Sequence, residues 1–304
     1  MRRTHPERGV TLIELVVTIV IVGIIVAAVT FFLTPLRQAT DVTVRAELTD
    51  IADNALQRIG RDVKLALPNS VRVDDTTVPG VKLLEYIAIR TAGRYRASGD
   101  GAAAGTNCPA DDAVLGVPGN DRLSFDLPAG DTCFKTLGKL PDAGTVAAGS
   151  DQVVLNNYGT AFPGQNAYAT AGVLNRVVLS ALDAGEALRD RVAFPATTFQ
   201  TALHDSPGKR FFIVSGPVTY ECNTLVGTIR RHAGYALAPV QPTAFGGSPA
   251  LIAEGVSACD FEYSPAVSGQ FGLLTLRVTL RRQRFDGTSE SVSLYHAVHV
   301  NNTP

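Results

Sequence analysis

Residues 10–33 read VTLIELVVTIVIVGIIVAAVTFFL, and only Thr11, Glu14, Thr18, Gly23 and Thr30 interrupt the apolar run. As a helix rising ~1.5 Å per residue the segment spans about 36 Å, enough to cross a bilayer core of ~30 Å. Arg2, Arg3 and Arg8 precede it. A basic flank holds that end in the cytoplasm, so everything after Pro35 is expected on the far side of the membrane. Two ordinary segment types compete for this pattern. A secretory signal has a shorter apolar core and a small-x-small cleavage site, a role open to Val26-Ala27-Ala28. A signal anchor needs only the length. Both leave Glu14 unexplained, because a carboxylate inside a membrane helix is expensive and calls for a partner.

The octapeptide Arg8-Gly9-Val10-Thr11-Leu12-Ile13-Glu14-Leu15 resembles the class III signal of type IV pilins and type II secretion pseudopilins. The resemblance implies that a prepilin peptidase cuts between Gly9 and Val10 and methylates the new amine on Val10. It makes Glu14 the family's glutamate, fifth in the mature chain; Val10 stands where the family most often has Phe. Chemistry agrees with that reading. Cleavage would create a cationic amine four residues before Glu14, and in a staggered bundle the amine of one subunit neutralises the carboxylate of its neighbour. The partners implied are prepilin peptidase, other pilins or pseudopilins through the N-terminal helix, and an inner-membrane assembly platform.

Outward from the apolar run, Pro35 is expected to kink the helix rather than end it. Leu48, Ala52, Ala55, Ile59 and Val63 then recur at spacings of three and four, one stripe of an amphipathic stalk. Asp41 and Arg45 form an i,i+4 pair of favourable polarity, and Pro68-Asn69 supplies a stop. The expected organisation is a leader (1–9), one long kinked assembly helix and stalk (10–67), and a periplasmic head (68–304).

In the head the period changes to two. Expected strands are Leu83–Tyr95, Arg122–Leu127, Gln152–Leu155, Arg176–Ser180, Arg210–Glu221, Thr224–His232, Ala258–Tyr263, Phe271–Arg282 and Thr288–Val300. Phe285-Asp286-Gly287 marks a hairpin between the last two, and Glu221-Cys222-Asn223 a second tight turn. Residues 99–149, rich in Gly, Ala, Asp and Pro, read as a surface insertion. The fold class is α+β: a long N-terminal helix against antiparallel sheets. The stretches at 66–72, 210–220 and 295–304 are similar to the MshO-type minor pilins of the mannose-sensitive haemagglutinin pilus system, relatives of the J-type pseudopilins. Nothing in the insertion contributes to that likeness.

The chain has 304 residues, 45% hydrophobic and 18% charged, with net charge −1. That balance excludes disorder and a globally basic nucleic-acid binder. Cys108, Cys133, Cys222 and Cys259 fall in an oxidising compartment, and four cysteines allow three connectivities. The nearest-neighbour one would clip the base of the insertion. No CxxC, HExxH, GxSxG or phosphate loop is present. His204-Asp205-Ser206 has triad residue types, but adjacent residues cannot form a triad, and Pro207-Gly208 makes it a turn. His296 and His299 fall on opposite faces of one strand, His296 with the apolar set. Asp74-Asp75 and Asp111-Asp112 are calcium-type loop carboxylates that more often stay solvated. No catalytic residue, metal or cofactor is expected.

The expected function is structural: a minor pilin-like subunit that initiates or caps an MSHA-type pilus, its bulky head suited to the tip. The alternative is a J-type minor pseudopilin whose head contacts cargo or secretin. A membrane-anchored periplasmic enzyme is the third class, and it has no sequence trace.

Overall fold

Thr11 starts the long helix. Its backbone is extended (φ −76°, ψ 149°) and its Oγ1 accepts the Glu14 N–H at 3.3 Å, so one orphan donor of the first turn is satisfied. From there α1 runs over Leu12–Lys64. Helical backbone continues across Pro35, and the kink expected there is not shown. The computed structural model describes residues 9–96, 108, 122–125, 130–172, 174–184, 188–265, 270–284 and 287–304, without the side chains of 32–42 and 201. Asp41 and Asp111-Asp112 are therefore outside the described side chains, as are Phe285-Asp286 of the hairpin signal.

Among the described residues three antiparallel sheets follow. Their strands are β1 (Arg72–Asp74), β2 (Val81–Arg94), β3 (Asp131–Lys135), β4 (Gln152–Leu155), β5 (Arg176–Val178), β6 (Ala181–Asp183) and β7 (Arg191–Thr197). After a single helical turn, α2 (Thr201–His204), come β8 (Arg210–Asn223), β9 (Thr228–Ala233), β10 (Ala250–Glu254), β11 (Val256–Ser264), β12 (Phe271–Gln283) and β13 (Ser289–Asn301). The largest sheet has seven strands in the order β1-β2-β8-β4-β5, with β9 and β10 attached beside β8. β8 is its centre: β2 lies along one edge, while the other edge is shared by β4 at Phe211–Val214 and β9 at Val218–Asn223. The second sheet is β11-β12-β13 and the third β3-β7-β6.

The α+β expectation holds, and the stalk stripe is the reason the parts stay together. Leu48, Ala52, Ala55, Ile59 and Val63 are all buried, joined by Leu56, and they pack on Leu274, Leu276, Val278 and Leu280 of β12 and Val292, Val298 and Val300 of β13. Alternate residues of a strand share a face, so these sets are what a period-two strand offers a period-3.6 helix. Gly60 lets the two backbones close: a Cβ there would stand 2.9 Å from His296 Nε2 and 3.2 Å from Val298 Cγ2. Helix and strand climb together. Arg45 pairs with Glu290 at 3.2 Å, Glu47 with Arg282, Gly60 meets His296, and Asn69 N–H donates to Asn302 Oδ1 at 3.3 Å. Polar contacts fix the same docking to the large sheet, where Asp62 Oδ2 accepts from Tyr220 Oη (2.7 Å), Tyr86 Oη (3.2 Å) and Arg231 Nε (3.1 Å).

Two local expectations are corrected. Glu221-Cys222-Asn223 is not a turn but the end of β8, paired with β2 and β9 on both sides. The turn comes one step later: Asn223 Oδ1 accepts the N–H groups of Leu225 and Val226, and Gly227 closes it at φ +77°. The expected strand at Arg122–Leu127 is irregular over its described residues 122–125. There Ser124 N–H goes to the buried Asp131 carboxylate at 2.7 Å, and the strand forms at β3 instead. A side-chain acceptor in that position offers the backbone an alternative to a ladder.

Candidate functional site

Leu12–Phe31 is long and apolar enough to cross a membrane, and none of it is buried against the head. Leu12, Ile13, Ile19 and Ile24 are each more than 60% exposed. Such a surface does not persist in water, so this segment requires lipid or other chains around it. Its polar side chains are already spent. Thr18 Oγ1 donates to the Leu15 carbonyl at 2.8 Å, and Thr30 Oγ1 to the Val26 carbonyl at 2.9 Å. Glu14 is the only Asp, Glu, Lys, Arg or His between residues 9 and 31. It lies in the first turn, exposed, where the helix N-terminus favours negative charge, and among the described residues no side-chain hydrogen bond or ion pair holds it. Gly9 and Val10 precede the cap and are exposed, Val10 at 70%. The structure thus gathers Gly9, Val10 and Glu14 at one end of a bare apolar helix.

The four cysteines lie elsewhere. Cys108 is bonded to Cys133 and Cys222 to Cys259, one of the three connectivities open from sequence. The first ties position 108 to β3; the second joins the large sheet to the β11-β12-β13 sheet through β8 and β11.

Among the described residues no other candidate from the sequence builds a reactive centre. His204 is fully buried; its Nδ1 accepts the Gln200 N–H at 3.0 Å and its Nε2 donates to the Gly164 carbonyl at 2.8 Å. Burial lowers its pKa, so the ring stays neutral and serves as a loop fastener. Asp205 instead accepts from Tyr95 Oη at 2.6 Å and from Lys209 Nζ at 2.7 Å, and Lys209 N–H closes the Ser206 turn. Asp74 Oδ1 accepts the N–H groups of Thr76 and Thr77, while Asp75 pairs with Lys82 at 3.1 Å. Among the described residues no three His, Cys, Asp or Glu side chains are grouped to hold a metal. His296 sits half-buried on the helix-facing side of β13 and His299 is exposed on the other side.

Several buried charged groups have no signal in the sequence, among them Glu85, Asp131, Asp151 and Asp190. Glu85 on β2 is enclosed; its Oε2 accepts from Arg72 Nε at 3.0 Å, and its Oε1 has no hydrogen-bond partner among the described residues. Arg72 also donates to the carbonyls of Pro239 (2.8 Å) and Ala238 (2.9 Å) and lies 3.7 Å over the Tyr168 ring. Burial pushes the Glu85 carboxyl from its ordinary 4.5 up to about 6, against the pull of Arg72. The folded state therefore holds this proton more tightly than the unfolded one. Its contribution to stability is full well below pH 4.5 and is lost, by about 2 kcal/mol in all, as pH rises through 6. Urea unfolding between pH 4 and pH 7, roughly the span of both titrations, should show that decline in the wild type and its loss in Glu85→Gln. An identical slope in both proteins would refute the assignment.

No curated protein and no solved structure matches the chain. Residues 4–30, which cover the cap, Glu14 and nearly all of the bare apolar helix, match the family model described as the prokaryotic N-terminal methylation motif, and this supports a type IV pilin-like family, a structural subunit of a membrane-anchored pilin system, for the chain.

Proposed function

We propose that the chain is a minor pilin-type subunit, inserted in the bacterial inner membrane with residues 68–304 in the periplasm. It is cut between Gly9 and Val10, methylated on Val10, and built into a pilus through residues 10–33. The observation that carries this reading is the methylation motif laid on a wholly exposed apolar helix whose only charge is Glu14. Glu14 receives the Val10 amine of a neighbouring subunit, so that two desolvated charges are neutralised together. One face of residues 44–63 is already committed to the head, and Val10–Phe31 is the exposed apolar surface offered for filament packing.

A head of this bulk suits the tip, where subunits need not pack laterally on all sides, and initiation or capping of an MSHA-type pilus fits the likeness of the later stretches. Intact-mass spectrometry of the protein from cells with and without prepilin peptidase tests the reading. The expected chain begins at Val10 and carries one methyl group only when the peptidase is present. A chain retaining Met1, or one starting at Val29 after the Val26-Ala27-Ala28 site, would overturn it.

A further inference from the structure

Among the described residues the strand order leaves one long sheet edge without a paired strand. β13 pairs with β12 alone, continuously from Phe271–Asn301 to Gln283–Ser289 with no register shift. The phase of that ladder follows from two flanking bonds: Arg284 N–H donates to the Thr288 carbonyl, and Asn302 N–H to the Gln270 carbonyl. In an antiparallel pair hydrogen-bonded and non-hydrogen-bonded positions alternate. The even-numbered residues of β13 therefore bond to β12. The odd-numbered ones, Ser291, Ser293, Tyr295, Ala297 and His299, turn their N–H and C=O groups to the open edge. Among the described residues nothing hydrogen-bonds to those groups.

Other sheet edges are protected. β1, β5 and β6 are three residues long. β3 and β10 are five residues long and carry register shifts. β11 has a bulge at its start, exposed Asp260 and Glu262, and the Cys259 disulfide. β13 spans thirteen residues, and Ser291–Asn301 contains no Pro, Lys, Arg, Asp or Glu. Proteins blunt exposed edges with such devices because a bare edge is a template for another strand. On the helix-facing side, Leu294 and His296 are only half-buried between the buried Val292 and Val298, so their cover is incomplete at this edge.

We infer that β13 is a strand-addition site for an antiparallel extended segment of a different polypeptide, apolar at the positions beside Leu294 and His296 and polar at the alternate ones. A second copy adding its own β13 antiparallel to this edge does not fit. β13 climbs in the same direction as α1, so an antiparallel β13–β13 pair would point the two α1 helices in opposite directions. Two chains anchored in one membrane cannot do that. This choice of partner rests on the reading of α1 as a membrane helix; the bare edge does not.

The test places the photocrosslinker p-benzoylphenylalanine at Tyr295 in the full-length protein in its own membranes, with adducts mapped by mass spectrometry. The expected adduct joins Tyr295 to an extended segment of another chain. Ala297→Pro removes an edge donor without touching the β12 ladder, and should cut that adduct at least about tenfold. Ala297→Lys, which leaves the backbone alone, should do the same, so a fold defect in the proline variant does not decide the matter. Adducts to lipid only or to a second copy, no adduct at all, or yields unchanged in both variants would overturn the proposal. Mature-mass analysis of the same sample separates this from failure of the pilin reading, since the edge adduct does not depend on a Val10 start.

Discussion

Glu14→Ala is expected to leave the head folded and the chain in the membrane while abolishing its incorporation into filaments. Among the described residues the Glu14 side chain holds no hydrogen bond or ion pair, and the helix cap uses the Glu14 backbone N–H rather than its carboxylate. Removing the carboxylate thus costs the isolated chain almost nothing and eases membrane insertion. The loss falls on the neighbour, whose Val10 amine is left desolvated and unpaired. Breaking one partner of a buried ion pair costs about 3–5 kcal/mol, which corresponds to a fall of roughly two to four orders of magnitude in assembly equilibrium. Fractionation of cells carrying the variant as sole copy should find it in the inner membrane and absent from sheared filaments. Normal incorporation would remove the charge pair from the assembly mechanism.

The second large effect is on the head. Cys222 is fully buried on β8 and Cys259 half-buried on β11, and their bond closes a loop of separation 37. Replacing both by Ser frees the unfolded chain of that closure and should lower stability by about 3–4 kcal/mol. It also leaves a hydroxyl in an apolar core made of Val218, Ile229 and Val256. The measurement is the urea midpoint of the double variant against the wild type. A change under about 1 kcal/mol would mean that packing of β11 on the large sheet, not the bond, holds the two sheets together.

How much of this was legible follows the range of the interactions. The stalk stripe was read residue by residue because helix burial repeats within four positions. β12 and β13 were read because both alternate strictly on one face. β7 and β10 were not read: Arg191–Thr197 contains Pro195, and Ala250–Glu254 lacks alternation, so each owes its state to neighbours in the sheet. The Glu85–Arg72 pair joins β2 to β1 and then to carbonyls 166 and 167 residues away, beyond any local pattern. At the N-terminus the case is reversed. Gly9, Val10 and Glu14 lie within six residues of one another inside the matched motif, and in the proposed assembly their partners are on other molecules, which one folded chain does not display.

The parallel run of α1 and β13 has a mechanical side. A subunit drawn by its N-terminal helix feels the load along the α1 axis, and the seam with the head lies along that same axis. The load arrives as shear across Arg45–Glu290, Glu47–Arg282, the Gly60 contact and the Asp62 hub together, rather than peeling them apart one at a time. The head is fastened to its stalk like a lap joint, strongest in the direction in which the proposed filament would pull.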